Sequence, residues 1–319
     1  MLRLLMVGAG GIGGYYAARL LDAGHEVVLT ARGAHLSALR ENGLTVRYGA
    51  REMVSQPDVV DHQQLVFRYQ PDDFDVILIA LKATATASVA NELGAWLGQG
   101  RSPVLSLQNG VDNEPLLAEA IGANRVFGGL AIRIGGHIVA PGIIEAEGVA
   151  QIVMGRWPKT GDRPDSRDEL LQRLAAGFNE SGIPTSLSDN IRYELWRKLV
   201  INNGVNPLSA LTGLDTRSLT HHPEFAKVVY GMMAETVVAS RADQVNLTQK
   251  DLDEMFELIS NFNAIKTSML IDREKGRPME LESIAGAVLR RCEAMGVQAP
   301  YTFLVNALLR ASENRAGLR

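Results

Sequence analysis

One segment of this 319-residue chain, residues 196–207, places a basic side chain and two amide side chains at helical spacing. Lys198 and Asn202 are one helical turn apart and Asn206 follows one turn later, so a continuous helix would align all three on one face. A lysine in this position can give a proton to the alkoxide that forms when a ketone is reduced, and its charge stabilises that oxygen. The same spacing also fits a solvated lysine with capping amides, and spacing alone leaves both interpretations open.

A serine and a glutamate flank a predicted break between two helices. Ser268 lies before the Gly276-Arg277-Pro278 break and Glu280 lies directly after it, so a helical hairpin would bring them to one rim. Glu280 could then hold Lys198 or a substrate hydroxyl, and Ser268 could bind a carboxylate. Taken alone, each residue fits equally a helix surface or a helix cap.

A glycine-rich turn follows the first apolar run of the chain. It reads Gly8, Ala9, Gly10, Gly11, Ile12, Gly13 and has the G-x-G-x-x-G spacing between a strand and a helix. In that context the helix N-terminus offers N–H groups and a positive dipole end to a pyrophosphate, so we expect a dinucleotide site here. The alternative is a tight turn that only serves packing.

Arg32 indicates which dinucleotide would bind. NAD-binding turns of this kind place a carboxylate about 20 residues further on, where it contacts the ribose 2′-hydroxyl. The second strand here ends Leu29-Thr30-Ala31-Arg32, with no carboxylate. A guanidinium at this point can pair with a 2′-phosphate, which predicts NADP(H), although a solvated loop arginine is the simpler alternative.

Two further segments follow predicted strands of the same sheet. Lys82 comes after an apolar strand ending at Ala80, and Asn109-Gly110 comes after the strand Pro103–Leu107. Ligands of open α/β sheets bind at the carboxyl ends of strands, which favours both residues as binding residues over a helix-start lysine and a simple turn.

The elements that position these residues alternate between strand and helix in the first part of the chain. Leu2–Val7, Ile12–Ala23 and Glu26–Thr30 form a strand–helix–strand unit, and the pattern returns between Phe74 and Leu107. This alternation predicts an α/β fold with an N-terminal Rossmann-type, doubly wound parallel sheet. Short β-like runs from Arg125 to Met154 suit antiparallel strands that complete this domain.

The second part of the chain is predicted to be all helical. Its apolar periodicity indicates five helices, at residues 193–203, 223–241, 252–275, 282–295 and 301–311. The predicted division is an NADP-binding domain at residues 1–184, including a connecting segment near residues 156–168, and a helical substrate domain at residues 185–319.

Composition excludes several classes of partner. A net charge of −4 gives no general attraction to nucleic acid or anionic lipid. The single Cys292 allows no intrachain disulfide and belongs to no metal-ligand cluster, so we expect a reducing, cytoplasmic location and no metal centre. The N-terminal apolar run is too short for a signal segment or a membrane span.

Together these residues resemble the ketopantoate reductase (2-dehydropantoate 2-reductase) family along nearly the whole chain. The resemblance rests on the combination of the following segments: Gly8 to Gly13, Arg32, Leu81-Lys82, Gln108-Asn109-Gly110, Trp196 to Leu199, Asn202, Asn206-Pro207, Ser268-Met269 and Glu280.

The resemblance implies a role for each matching residue. Lys198 would be the general acid, Glu280 the carboxylate that fixes substrate and lysine, and Ser268 a contact of the substrate carboxylate. Asn109, Asn202 and Asn206 would line the cleft, and Lys82 would lie on the cofactor side. The implied reaction is the reduction of 2-dehydropantoate to pantoate with NADPH, a step towards pantothenate and coenzyme A.

Two positions depart from the family pattern and leave the substrate open. Ile265 stands where a polar asparagine is expected one turn before Ser268, and Ala85 stands where a polar residue is frequent after Lys82. The alternatives are a reductase of another branched 2-oxo acid and an NADP(H)-binding sensor without turnover. The presence of both Lys198 and Glu280 disfavours the sensor. The sequence also leaves the oligomeric state open, including a homodimer through the helical domain.

Overall fold

The computed structural model describes residues 1–158 and 166–316, which form two units. Unit 1 comprises residues 1–108 and 113–191, and unit 2 comprises residues 109–112 and 192–319, of which 317–319 lie outside the described part. The described strands are β1 Arg3–Val7, β2 Glu26–Thr30, β3 Leu44–Tyr48, β4 Arg51–Ser55, β5 Asp58–Val60, β6 Val76–Ile79, β7 Val104–Ser106, β8 Val126–Ala140, β9 Ile143–Arg156 and β10 Thr185–Leu187.

Helices α1 to α6 belong to unit 1, and α7 to α13 belong to unit 2 except for Ile191, the first residue of α7. The described helices are α1 Gly11–Asp22, α2 Gly33–Asn42, α3 His62–Arg68, α4 Thr86–Leu97, α5 Asn113–Ile121, α6 Ser166–Glu180, α7 Ile191–Thr212, α8 Thr216–His221, α9 Pro223–Ala239, α10 Gln249–Ser260, α11 Ser268–Glu274, α12 Ala287–Ala294 and α13 Pro300–Ala316. A π-helical turn, Glu282–Gly286, leads into α12. In the described part of the chain, no helix combines the length and the apolarity that a membrane span requires.

The sheet of unit 1 confirms the predicted α/β class and is mixed. Its strand order is β4-β3-β9-β8-β7-β6-β1-β2-β5, and β10 pairs with β9. The strands β5, β2, β1, β6, β7 and β8 are parallel, as alternating strands and helices require. The long β8–β9 hairpin is antiparallel, as expected for residues 125–154.

Each face of this sheet has its own hydrophobic core. On one face α1, α2 and α6 cover it, with Tyr15, Tyr16 and Phe178 fully buried. On the other face α3, α4 and α5 pack, with Trp96 and Leu117 in the core. Strands covered on both sides are almost continuously apolar, which explains why the short runs Leu4–Val7 and Val76–Ile79 could be recognised from sequence.

The boundary between the units falls later than predicted. The sequence placed it between residues 184 and 185, whereas unit 1 extends to Ile191. The reason is that β10 pairs in parallel with β9, from Thr185↔Ile152 to Leu187↔Met154, and so joins the first sheet. Helix α6, which was not predicted, precedes β10. The predicted connection near residues 156–168 lies partly outside the described residues.

The helices of unit 2 agree with four of the five predictions and correct one. The single helix expected at 252–275 is two helices, α10 and α11, separated by residues 261–267. Thr216, at the start of α8, makes two hydrogen bonds to the backbone of this segment. Its N–H donates to the Ile265 carbonyl at 3.0 Å, and its hydroxyl donates to the Asn263 carbonyl at 3.2 Å. These carbonyls therefore bond across the unit instead of continuing a helix.

Candidate active site

The glycine-rich turn has the geometry that a pyrophosphate site needs. Gly8 has φ +106°, a conformation that favours glycine, and a Cβ on Gly13 would meet the Gly8 carbonyl oxygen at 2.1 Å. A Cβ on Gly10 would have no atom within 4 Å, so the backbone there is open to a ligand. These are the three separate uses of glycine in a dinucleotide turn, and α1 begins directly after it.

Hydrogen bonds fix this turn to neighbouring elements of unit 1. The N–H of Gly8 donates to Thr30 Oγ1 at 3.0 Å, and the N–H of Ala9 donates to the Thr30 carbonyl at 2.9 Å. His35 accepts the N–H of Gly142 at Nδ1, so its Nε2 carries the proton and donates to the Ala9 carbonyl at 2.8 Å. The turn is therefore pre-formed without a ligand.

A cavity of about 190 Å³ opens beside the turn and contains Arg32. Its lining includes Gly8, Gly10, Thr30 and Arg32, together with His62 of α3. Arg32 makes no hydrogen bond or short ion pair with residues 1–158 and 166–316, and its charge contributes at longer range to the lowered pKa of Glu92. A guanidinium that lines a cavity next to the glycine turn fits a nucleotide phosphate.

His62 and Glu92 extend the charged edge of this cavity, and sequence reasoning missed both. His62 Nδ1 lies 2.6 Å from Glu92 Oε2. Hydrogen bonds from Ser88 and His62 lower the pKa of Glu92. The signal for His62 was its place two residues after β5, a strand that runs parallel to β2, which Arg32 likewise follows by two residues. β5 has only three residues, too few for a periodicity to reveal it.

Lys82 and Gln108 lie at neighbouring strand ends of unit 1, as predicted. Lys82 precedes a short turn at Ala83–Ala85, and its carbonyl accepts Gln108 Nε2 at 3.2 Å. Gln108 also donates to Thr86 Oγ1 at 2.8 Å, which connects the ends of β6 and β7 through α4. This bond holds the two strand ends in register with each other.

The predicted helix with Lys198 is α7, and it extends through Pro207 to Thr212. Lys198, Asn202 and Asn206 therefore share one face, as the spacing predicted. The Lys198 side chain is only partly exposed, and burial lowers the pKa of its ammonium to about 8, an effect that the nearby Glu280 carboxylate partly offsets.

Glu280 connects two other sequence-predicted residues of unit 2, Lys198 and Asn109. It is 7% exposed and lies just before the π turn. Its Oε2 accepts a 3.1 Å hydrogen bond from Asn109 Nδ2, and its charge acts on Lys198. An ammonium, a carboxylate and an amide thus form one polar cluster, the Lys198–Glu280–Asn109 cluster, inside a largely apolar helical unit.

Three predicted substrate residues keep their polar groups unsatisfied within the protein. Asn202, Asn206 and Ser268 have no side-chain hydrogen bond to any described residue. Asn206 is 5% exposed, and a buried amide without a partner is costly, so these groups are suited to a polar ligand. Among the described residues, no hydrogen bond connects Ser268 with Lys198 or Glu280.

Asn203, next to Asn202, has a different environment. It is fully buried, and its Nδ2 lies 2.9 Å from Thr236 Oγ1 and 3.0 Å from Thr302 Oγ1. It joins α7 to α9 and α13. Asn203 is therefore a packing residue, whereas the Asn202 side chain makes no hydrogen bond to any of the described residues.

The loop that carries Asn109 is anchored by an ion-pair network that the sequence did not reveal. Asp112 Oδ2 accepts from Arg290 Nη2 at 2.7 Å, and its Oδ1 lies 2.8 Å from Arg291 Nη2. Arg291 also pairs with Asp243 at 2.8 Å and lies over the ring of Trp196, 5.2 Å from its centroid. The network fixes residues 109–112 beside the helix that carries Lys198.

The family match follows the two units. The model described as "Ketopantoate reductase PanE/ApbA" matches residues 4–159, and its C-terminal counterpart matches residues 190–313. A 2-dehydropantoate 2-reductase from Mesorhizobium japonicum is 30% identical over 97% of each chain. The chain belongs to the ketopantoate reductase family.

Solved structures of similar chains agree with the fold of this ketopantoate reductase family member. A PanE/ApbA family ketopantoate reductase from Ralstonia eutropha matches with a TM-score of 0.85 and 28% identity, over 98% of this chain and 99% of that chain. A D-mandelate dehydrogenase with NADH and anilino(oxo)acetate matches with a TM-score of 0.88 and 22% identity, over 98% and 99% of the two chains. At that identity the second match shows the fold alone.

Proposed function

We propose that this protein reduces 2-dehydropantoate to pantoate with NADPH. The observation that carries the proposal is the Lys198–Glu280–Asn109 cluster, which holds a lysine of lowered pKa against a buried carboxylate. The family membership supports the reaction class. The glycine turn with Arg32 beside it supports a nicotinamide dinucleotide that carries a 2′-phosphate.

When bound, the nicotinamide cofactor supplies a hydride for the carbonyl carbon of the oxo acid. Lys198 donates the proton that the resulting alkoxide needs, and its charge stabilises that oxygen as it forms. With a pKa of about 8, the ammonium is mostly protonated at neutral pH and is a better acid than an ordinary lysine. Glu280 keeps the lysine charged, and Asn109 keeps the carboxylate in place.

The amides of Asn202 and Asn206 and the hydroxyl of Ser268 bind the polar groups of the oxo acid in this proposal. Each is a donor without a partner among residues 1–158 and 166–316, and together they can satisfy a carboxylate and a hydroxyl. Ser268 is exposed at the first position of α11, where Thr267 already caps the helix N-terminus, so its hydroxyl remains available.

A second candidate is a reductase of a branched or aryl 2-oxo acid without a distal hydroxyl. It is favoured by Ile265, an apolar side chain that is 46% exposed and lies three residues before Ser268 in the segment that leads into α11. An apolar contact at this point suits an apolar substrate side chain.

A substrate panel with purified protein tests both candidates and the non-enzymatic one. NADPH oxidation is followed with 2-dehydropantoate, 3-methyl-2-oxobutanoate and phenylglyoxylate, with Lys198→Ala as the matched control. The highest kcat/KM with 2-dehydropantoate supports the first candidate, and a preference for either of the other acids supports the second. NADPH binding without turnover on any 2-oxo acid would contradict both and leave a sensor.

A further inference from the structure

Two histidine side chains line the cavity beside the glycine turn, and they differ in the nitrogens they have left for a bound molecule. Both nitrogens of His35 are used, since Nδ1 accepts the N–H of Gly142 and Nε2 donates to the Ala9 carbonyl. In His62 the bonded nitrogen is Nδ1, which lies 2.6 Å from Glu92 Oε2. The Nε2 of His62 makes no hydrogen bond to any described residue, so a ligand in the cavity can use it.

Glu92 decides which ring nitrogen of His62 carries a proton. Ser88 Oγ donates to Glu92 Oε1 at 2.7 Å. This bond, the bond with His62 and the charge of Arg32 all lower the pKa of the Glu92 carboxyl. The carboxylate is therefore ionised at neutral pH and can only accept hydrogen bonds. His62 must donate to it from Nδ1, in the neutral and in the charged ring alike.

The fixed proton on Nδ1 gives Nε2 of His62 two opposite functions. In the neutral ring Nε2 has no proton and accepts a hydrogen bond, whereas in the charged ring it has a proton and donates one. A ribose 2′-hydroxyl can donate to the neutral form. A fully ionised 2′-phosphate offers only acceptors, so it pairs with the charged form. Histidine is the side chain that changes its charge between about pH 5 and 8.

Arg32 and His62 reach the cavity from two neighbouring parallel strands. Arg32 follows the end of β2 by two residues and His62 follows the end of β5 by two residues, and the two strands pair from Val28↔Asp58 to Thr30↔Val60. In open α/β sheets the carboxyl end of the second strand receives the ribose of a dinucleotide, and its 2′ substituent is recognised there. Both side chains are therefore available to the same substituent.

Few charges other than those of Arg32 and Glu92 act on His62. Glu92 is the one charged residue of α4. The other charged side chains on α3 and beside it already have partners: Asp61 accepts the Gln64 N–H, Asp58 of β5 bonds Arg68 and Tyr69, and Arg40 of α2 bonds Gln64. A charged His62 and Arg32 in one cavity repel each other, and a phosphate of charge about −2 offsets both.

We propose that His62, oriented by Glu92, sets the choice between NADPH and NADH according to pH. When it is charged it binds the 2′-phosphate together with Arg32, and when it is neutral it accepts the 2′-hydroxyl. Glu92 is a positioning residue, because it acts through the ring of His62. This role deepens the function proposed above and rests on a nicotinamide dinucleotide binding in this cavity. The preference for NADPH should therefore be stronger at low pH.

Isothermal titration calorimetry with two stable probes tests this role without turnover. The probes are adenosine 2′,5′-bisphosphate and adenosine 5′-monophosphate, and the ratio of their dissociation constants measures the contribution of the 2′-phosphate. The wild type and His62→Gln are compared at about pH 6 and about pH 8.5, on either side of the range in which histidine changes its charge. Comparison at the same pH removes the effect of the phosphate's own protonation, which occurs near pH ~6.

We expect the wild type to favour the bisphosphate more strongly than His62→Gln at the lower pH. The difference should be about 5- to 20-fold, the effect of one charge-assisted hydrogen bond at a partly exposed site. At the higher pH the two proteins should agree within about twofold, because the neutral ring has no proton to donate from Nε2.

Two further variants separate this role from a general disturbance of the cavity. Glu92→Gln keeps the shape of the side chain and removes its charge, so the pH response should move to lower pH. The matched control is His221→Gln, which replaces an exposed histidine of α8 in unit 2 and should behave as the wild type. Far-UV circular dichroism checks that each variant is folded.

Equal ratios in the wild type and His62→Gln at both pH values would overturn the role of His62. If Arg32→Ala lost the preference for the bisphosphate in that case, the assignment to NADPH would stand without His62. A wild type that binds the two probes equally at both pH values would overturn this role and the NADPH assignment together. A pH response that Glu92→Gln leaves unchanged would contradict the orientation of His62 by Glu92.

Discussion

Asn109 Nδ2 donates a 3.1 Å hydrogen bond to Glu280 Oε2, joining residues that are 171 positions apart. The same carboxylate raises the pKa of Lys198 against the opposing effect of burial. Glu280 is therefore shared by an amide from the loop after β7 and an ammonium from α7. The first predictions follow from this shared carboxylate.

Lys198 should control turnover and the alkaline limb of activity. A positioned general acid contributes about 100- to 10,000-fold, so Lys198→Ala should lower kcat by that factor while NADPH binding remains. The active form is protonated, so kcat/KM should be level below a pH of about 8 and fall as the pH rises through the pKa of Lys198. Turnover by Lys198→Ala close to that of the wild type would refute the role.

Glu280→Gln should move that alkaline limb to lower pH. The carboxylate raises the pKa of Lys198, and its neutral isostere removes the charge while it keeps a similar shape. The measurement is kcat/KM for the oxo acid against pH in the two proteins. An unchanged limb would mean that Glu280 does not act on the lysine.

Asp112→Asn tests whether the ion-pair network positions Asn109. Losing charge-assisted bonds to Arg290 and Arg291 should cost about 1–3 kcal/mol in the free energy of unfolding. If the loop also loosens, the Asn109–Glu280 bond weakens, kcat falls, and the alkaline limb moves in the same direction as in Glu280→Gln. A loss of stability with an unchanged pH profile would mean that the network stabilises the fold but does not position Asn109.

Arg32→Ala should distinguish the two nicotinamide dinucleotides. A charge-assisted phosphate contact is worth about 1.5–3 kcal/mol, so the dissociation constant of NADPH should rise roughly 10- to 150-fold while that of NADH changes little. Arg101→Ala, at a site that is 97% exposed, is the control and should affect neither cofactor. Equal weakening of both cofactors would remove the assignment to the 2′-phosphate.

Substitution of Asn202 should affect substrate binding, whereas substitution of the adjacent Asn203 should affect stability. Asn202→Ala should raise KM for the oxo acid and leave stability unchanged, because its amide has no partner among the described residues. Asn203→Ala should lower the free energy of unfolding by about 1–3 kcal/mol, because it removes the buried amide that donates to the hydroxyls of Thr236 and Thr302. The pair is compared by steady-state kinetics and urea unfolding, and similar profiles for both variants would contradict the distinction.

Ser268→Ala should raise KM for the oxo acid without changing the dissociation constant of NADPH. The hydroxyl is exposed and is not the cap of α11, so its loss should leave the helix intact. Thr267→Ala is the contrasting variant, since the Thr267 side chain caps the Leu270 N–H and its loss should cost about 1 kcal/mol. Weaker NADPH binding with normal oxo-acid kinetics in Ser268→Ala would refute the assignment.

The sequence by itself was sufficient for the fold class, the glycine turn between β1 and α1, and the helix that carries Lys198. Each of these depends on residues that are close in the chain. Glycine spacing defines the turn, apolar runs define buried parallel strands, and a period of one helical turn defines the shared face of α7. Such local patterns can be recognised without knowledge of the contacts between distant segments.

Tertiary structure decided the matters that depend on distant partners. Asn202 and Asn203 are the same residue type at adjacent positions, and only contacts with α9 and α13 show that Asn203 is a packing residue. Thr216 bonds two carbonyls of the segment between α10 and α11, and β10 belongs to the first unit because it pairs with β9. The pKa of Lys198 likewise depends on burial and on Glu280. Desolvation and charge act through space, and sequence spacing does not record distances between segments that lie far apart in the chain.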